Sequence, residues 1–327
     1  DELSTAISDL DRAGHLPALR PLLSIKRAEK LLSSFGASLK AQVHPLTGRI
    51  HASYNVAGTK SGRWSCSAPN LQQVPGERLA PGFRGIFKAP EGRVLIGADY
   101  SQMELRAAAE VSGDMALRKI YEDGQDLHKL TAAAVAGIDP FDVTEEQRSR
   151  AKPVNFGSIY GMGPKGLAAA AWNGYRVEMT MKDAKNALRV FFRNFPTLER
   201  WMRQHADQCL SRRSITIGAG RMLEGAWEPK GIRYTQCCNL PIQGVCADVM
   251  MRAVSGVYRR LHTEGLGAIM VAQIHDELIL EADRQDADTV STILKAEMTK
   301  AFNGTFPDAP IGDLVAVHVG ASWGKLK

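Results

Sequence analysis

The chain has 327 residues, 44% of them hydrophobic, and carries 41 Lys and Arg against 35 Asp and Glu, a net charge of +6. That length and apolar content exclude a disordered or fibrous chain and suffice to bury a large core divided over two or more subdomains. No apolar run approaches the roughly 18 residues of a membrane span and no signal peptide opens the chain, while the mild basic excess permits a polyanionic partner without requiring one. The cysteines, Cys66, Cys209, Cys237, Cys238 and Cys246, are odd in number and include no Cys-x-x-Cys pair. They read as reduced thiols in a cytosolic setting rather than as a disulfide framework or a zinc site. The first residue is Asp1 rather than Met, so an upstream part is expected to be missing.

Residues 1–40 are helical in tendency, with Leu19, Leu22, Leu23, Ala28, Leu31 and Leu32 near helical spacing and Lys26, Arg27 and Lys30 as a solvated face. Residues 43–56 alternate polar and apolar about Pro45-Leu-Thr-Gly48, the pattern of a hairpin. The stretch from Thr59 to Pro75 is rich in hydroxyls and amides and poor in core formers. Such a loop suits contacts to phosphate, sugar and base edges, although a plain surface loop has the same composition.

Val94 to Ala98 form a short apolar run suited to a buried strand, and Asp99 follows where the strand would emerge. From Gln102 the spacing turns helical, with Met103, Ala107 and Val111 before Gly113, which can end the helix. Taken alone, the stretch reads first as an ordinary strand-to-helix connection whose Asp99 caps the helix. Asp126-Leu-His128 opens a further helix, where a first-turn histidine is ordinarily a surface residue but can reach a phosphate. Thr144-Glu-Glu-Gln147 is a capping box, and in the helix it starts Arg148, Lys152, Phe156 and Tyr160 fall every four residues on one stripe. Two cations followed by two aromatics can hold a triphosphate and then a base or sugar; they can also be a solvated start running into a buried end. Pro153 inside that helix predicts a bend.

Residues 181–210 continue as amphipathic helix, and 212–233 as a Gly-rich basic loop or hairpin. Helix resumes near Tyr234 and runs towards His262 with an interruption expected at Pro241; Asn239 and Gln243 lie one turn apart within it. His275, Asp276 and Glu277 then stand at a tight turn between two strand-like runs, where acids are costly unless exposed or bound to metal. A last amphipathic helix over 284–302 and a strand over 314–319 complete the pattern. Two strand-borne carboxylates, Asp99 and Asp276, with a cationic and aromatic helix between them in sequence, suggest two-metal phosphoryl transfer, for which hard oxygen ligands suit Mg²⁺.

Three stretches in order carry a resemblance. Asp99-Tyr-Ser-Gln-Met-Glu-Leu-Arg106 resembles motif A of the family A, DNA polymerase I-like, DNA polymerases. Arg148-x-x-x-Lys-x-x-x-Phe-Gly-x-x-Tyr-Gly161 resembles their motif B, and Gln273-Ile-His-Asp-Glu277 their motif C. The resemblance implies an α+β fold in the right-hand polymerase architecture, with an antiparallel-sheet palm, helical fingers and a truncated helical thumb. Residues 1–42 would be a partial thumb, 43–112 the first part of the palm with motif A, 113–230 the fingers with motif B, and 231–327 the second part of the palm with motif C.

It further implies a DNA-directed DNA polymerase that adds deoxynucleotides to a primer 3′-hydroxyl, without a 3′-5′ exonuclease domain in this chain. The implied cofactors are two Mg²⁺ ions, with Mn²⁺ as a substitute, held by Asp99, Asp276 and the Tyr100 carbonyl. Lys152, with Arg148 and His128, would hold the incoming triphosphate; Gln102, Phe156 and Tyr160 would also meet the nucleotide, and Glu104 would exclude a 2′-hydroxyl. Arg63, Asn70, Gln72, Asn239, Gln243 and His275 match positions that contact the primer-template duplex. The implied partners are primer-template DNA and deoxynucleoside triphosphates, with no membrane, in the cytoplasm of a bacterial or phage-infected cell. Thr235 departs from the Arg common in relatives, and Pro153 from their usual Ala. A polymerase-shaped scaffold that only binds duplex and an RNA-synthesising enzyme are the rival expectations.

Overall fold

A computed structural model of the chain describes residues 19–56, 58–77 and 80–326, so the helical expectation for residues ahead of Leu19 lies outside the described residues. The chain divides into two units, one drawn from Asp1–Asn55 and Ser65–Val74, the other from Val56–Trp64 and Pro75–Lys327. In the first, helix α1 (Leu19–Phe35) is followed by the short α2 (Ala37–Lys40). The turn at Pro45–Gly48 forms as expected, but it closes with a single bridge between Val43 and Ile50 rather than extended strands. The ladder is made further on, where β1 (Ser53–Asn55) pairs antiparallel with β2 (Ser65–Ser67). Asn70 caps the following turn by accepting the Gln72 amide at 3.1 Å.

The second unit opens its sheet with β3 (Arg93–Tyr100), whose residues from Val94 to Ala98 are all buried. Such an uninterrupted apolar run is what a strand covered on both faces requires. Helix α3 (Met103–Ser112) follows and ends at Gly113, whose φ of 67° places it in the left-handed region that favours glycine at a helix end. The Asp114 carboxylate caps α4 (Met115–Glu122), Asp126 caps α5 (Leu127–Ala136), and the Thr144–Gln147 capping box starts α6 (Glu145–Ile159). After α7 (Pro164–Ala170) a π-helical turn, Ala171–Tyr175, leads to α8 (Met181–Asn194) and α9 (Pro196–Arg212). The basic stretch beyond is a hairpin of β4 (Ser214–Ile217) and β5 (Arg221–Glu224).

Helix α10 (Tyr234–Thr263) passes through Pro241 without a break, against the expected interruption. Proline removes one backbone bond, but Leu240, Ile242, Cys246 and Val249 are all buried beside it, and core packing on that scale outweighs one lost bond. Helix α6 likewise continues through Pro153 as far as Ile159, with Ala151, Val154 and Ile159 in the interior.

Strands β6 (Ile269–Ile274) and β7 (Glu277–Asp283) form a hairpin, α11 (Ala287–Asn303) returns, and β8 (Val315–Gly320) closes the sheet. The sheet order is β6-β7-β3-β8, every neighbour antiparallel. Helices α10 and α11 pack on one another and α11 packs on β3 and β8, where the Tyr100 hydroxyl donates to the Met298 carbonyl at 2.6 Å. The architecture is a mixture of helix and antiparallel sheet, and among the described residues no helix is long and apolar enough to cross a membrane. All five cysteines are buried and free.

Candidate active site

The strand and the turn that carry Asp99 and Asp276 are neighbours. Asp99 stands one residue before the end of β3, in register with Glu277 of β7 and Ala316 of β8, and the Tyr100 amide donates to the Asp276 carbonyl at 3.2 Å. Asp99 therefore lies on the strand itself, and the cap position of α3 is taken by Gln102 in a left-handed conformation. His275 also adopts a positive φ, 57°, which turns the chain tightly enough between β6 and β7 to put Asp276 beside β3. Burial raises the Asp276 pKa, and the Asp99 carboxylate raises it further.

These acids open onto a cavity of about 600 Å³. Its lining contains Arg63, Asp99, Tyr100, Gln102, Glu104, His128, Arg148, Lys152, Phe156, Tyr160, His275 and Asp276, so twelve of the residues singled out from sequence converge there. Glu104, 8% exposed, is the hub of one wall: Arg63 forms an ion pair with its carboxylate and the Tyr160 hydroxyl donates to it. Burial and then the Glu104 charge push the Tyr160 phenol well above its ordinary pKa, so it remains a donor. Burial alone would lower the Arg63 pKa, but Glu104, with Cys246 and Tyr160, raises it overall. Gln243 reaches the Tyr160 side chain from α10.

The stripe on α6 forms a second wall. Arg148 is held in place by Asp126 at 2.6 Å and Glu145 at 2.8 Å. Burial opposes ionisation of Asp126, but its hydrogen bonds from Arg148 and the Lys129 amide hold its pKa below the usual carboxylate range. Phe156 lies between two partners, 5.9 Å from the His128 ring and 6.2 Å from that of Tyr160. His128 is buried rather than at the surface, 4% exposed, because its ring packs under α6 and Asn155 Nδ2 donates to its Nδ1 at 2.8 Å. That bond leaves the ring proton on Nε2. Burial, then the charges of Lys152 and Arg148 against the opposing pull of Asp126, lower its pKa from 6.5 to about 4.

A pH dependence follows from that neutral imidazole. Between pH 6.5 and about 4 the unfolded chain binds a proton that the folded imidazole refuses, so stability is lost as pH falls through that window. His128→Gln keeps a hydrogen-bonding side chain and removes the titration. Chemical-denaturation midpoints measured over that window should fall less steeply for the variant than for the parent; parallel slopes would contradict the assignment.

Four predicted contacts lie outside the cavity lining. Asn239 and Gln243 are on α10, and Asn70 and Gln72 belong to the first unit, where Asn70 serves as a turn cap. Sequence reasoning missed Ser101, Met103 and Tyr175, which also line the cavity, and the supporting pair Asp126 and Asn155. Asp126 carried a detectable signal as the residue opening a helix; Tyr175 carried none, since the π-helical turn that presents it has no period to read.

The donor set fits a divalent cation. Two carboxylates, one of them raised in pKa by the other, repel until a cation lies between them, and carboxylate oxygens are the ligands Mg²⁺ prefers.

Comparison with known proteins shows what the chain is similar to. The model of DNA polymerase family A matches residues 2–325. The chain is 34% identical over 337 residues to the thermostable DNA polymerase I of Thermus filiformis, covering 99% of this chain and 38% of that protein. It is 35% identical over 312 residues to DNA polymerase I of Pseudomonas aeruginosa, covering 92% of this chain and 33% of that protein. Among solved structures, the POL domain of Pol1 from M. smegmatis, in complex with DNA primer-template and dNTP, superposes with a TM-score of 0.83 at 28% identity over 97% of this chain and 55% of that one. The chain thus spans about a third of the length of the curated relatives it matches. With a family match running over nearly its whole length, the chain belongs to DNA polymerase family A.

Proposed function

We propose that the chain is a DNA-directed DNA polymerase that adds deoxynucleotides to a primer 3′-hydroxyl. One observation carries the reading: Asp99 and Asp276, distant in sequence, are joined through the Tyr100 amide at a cavity that also holds Arg148, Lys152, Phe156 and Glu104. Acids that would hold metal, cations that would hold phosphate, and a carboxylate that would test a sugar are the parts nucleotidyl transfer requires. The relatives named DNA polymerase I, and the neighbour solved with primer-template and dNTP, support the same reading. In this reading the four-stranded sheet of 43–112 and 231–327 is the palm, 113–230 the fingers, and 1–42 part of a thumb.

Asp99 and Asp276 would hold two Mg²⁺ ions, with the Tyr100 carbonyl assisting. Metal held by these residues would lower the pKa of the primer hydroxyl and offset charge on the departing pyrophosphate. Lys152 and Arg148 neutralise the triphosphate, and the Asp126 bridge restricts Arg148 before substrate arrives, which reduces the ordering cost of binding. Neutral His128 donates Nε2–H to a phosphate oxygen as a hydrogen bond rather than an ion pair. Phe156 offers its ring to the sugar and base. Glu104, held from two sides, occupies the space a 2′-hydroxyl would need. Arg63, Gln243, Asn239 and His275, with Asn70 and Gln72, would contact the duplex through its backbone and minor groove, which suits copying without sequence preference.

The test is primer extension by the purified chain on a DNA template with Mg²⁺, comparing deoxynucleotides with ribonucleotides. Extension restricted to deoxynucleotides supports the reading. Duplex binding without extension would favour an inert scaffold, and preferred use of ribonucleotides an RNA-synthesising enzyme.

A further inference from the structure

A polar relay in the second unit takes no part in the roles above. Arg221 on β5 is half-buried and is not among the residues lining the cavity. Its Nη1 pairs with the Asp248 carboxylate on α10, while Nη2 donates to the Gly244 carbonyl at 3.1 Å and to the Ser61 carbonyl at 3.4 Å. Asp248, 7% exposed, uses its other oxygen to accept the Ala219 amide at 2.6 Å. One guanidinium thus ties the β4–β5 hairpin, α10 and the loop at Ser61 together.

That loop leads straight to the Glu104 wall. Gly62 has a φ of +84°, and a Cβ there would lie 2.6 Å from Arg221 Cζ, so the backbone rests against the guanidinium with no room for a side chain. The loop is closed by the Gly62 amide on the Thr59 carbonyl at 3.1 Å and by the Thr59 hydroxyl on the Arg63 carbonyl at 2.8 Å. Arg63 is the next residue, and its guanidinium pairs with Glu104, which also receives the Tyr160 hydroxyl. The contacts therefore run without a gap from Asp248 through Arg221, Ser61-Gly62 and Arg63 to Glu104.

Resting on the reading of the cavity as a deoxynucleotide site, we infer that Arg221 is a positioning residue: anchored by Asp248, it fixes the Thr59–Trp64 loop so that Arg63 holds Glu104 where the nucleotide sugar arrives, and so sets the preference for deoxyribose over ribose. A carboxylate steered only by Tyr160 would be free to swing aside and admit a 2′-hydroxyl. Lysine cannot replace the arginine, because one ammonium lacks the planar fork that reaches an acid and two carbonyls at once.

The test is single-nucleotide insertion by Arg221→Ala, Arg221→Lys and Gly62→Ala, each with a deoxynucleotide and the ribonucleotide of the same base, alongside a thermal melt. Gly62→Ala drives a Cβ against the Arg221 guanidinium and so breaks the seating of the loop while Arg221 and Asp248 both remain, which keeps the inference testable if Arg221→Ala fails to fold. The deoxy-to-ribo ratio of kcat/KM should fall about tenfold in each, the size of one lost charge-assisted hydrogen bond. A purely structural role would lower the melting temperature and the active fraction but leave the ratio unchanged. In a Glu104→Ala background the same substitutions should change the ratio no further, since the effect runs through Glu104. An unchanged ratio in folded variants, or equal losses in both backgrounds, overturns the inference. A parent chain that extends no primer sinks instead the reading of the site as a polymerase, and this inference with it.

Discussion

Asp276→Asn is expected to lower the rate of nucleotide insertion at saturating Mg²⁺ by about 10³-fold, which corresponds to several kcal/mol of transition-state stabilisation, and to raise the melting temperature of the metal-free chain. Both effects come from one carboxylate. Burial and the neighbouring Asp99 carboxylate raise the Asp276 pKa, so the folded chain binds a proton more readily than the unfolded one. Stability from that source is present at low pH and is lost as pH rises through the window between the ordinary carboxylate value and the raised one; at neutral pH the charge is a net cost. Asparagine removes the repulsion, keeps the shape, and leaves the backbone bond from the Tyr100 amide intact. It also removes half of the carboxylate pair that would hold the metal. Insertion kinetics with Mg²⁺ and melts in chelator check the two halves together. A variant no more stable than the parent would contradict a net cost of the buried Asp276 charge, and one no slower would contradict its part in holding metal.

The second large effect is structural. Asp114→Ala should cost about 3 kcal/mol of unfolding free energy, since one carboxylate serves two helix starts. Its Oδ1 accepts the Ala116 and Leu117 amides at 3.1 and 3.0 Å, and its Oδ2 accepts the Leu198 amide at 2.9 Å. The residue is 1% exposed, so no solvent replaces what alanine takes away. Asp114→Asn should be intermediate: one oxygen can still cap α4, but the amide group would face the Leu198 N–H, donor against donor. Urea denaturation of both variants checks the order. Equal stability of all three chains would mean that the two helix starts are satisfied in some other way.

What could be read from sequence was what depends on near neighbours. The apolar run before Asp99, the Gly113 helix end and the Thr144–Gln147 capping box each express a rule that operates within a turn or two, and each forms as expected. The four-residue interval of Arg148, Lys152, Phe156 and Tyr160 placed them on one helix stripe, and all four line one cavity. Composition could not reveal partners that meet only in the folded chain. His128 looked like a surface residue because the helix that covers it begins at Glu145. Pro241 looked like a break because the packing that carries α10 through it comes from other elements. Arg221 looked like one cation among several in a Gly-rich loop, and its acceptors lie far from it in sequence, two on α10 and one at Ser61. The Val43–Ile50 turn was expected to extend into strands, yet the chain after Ile50 finds its ladder partner at Ser65–Ser67.

Whether the cavity copies a DNA template is read by single-nucleotide insertion on four primer-templates that differ only in the templating base. Each template, supplied in turn with each deoxynucleoside triphosphate and Mg²⁺, should direct addition of its complement by the parent chain, and the preferred nucleotide should change whenever the template base is changed. Addition of the same nucleotide on all four templates would contradict template direction, and no addition on any of them by a folded chain that still binds the duplex would contradict the polymerase reading itself.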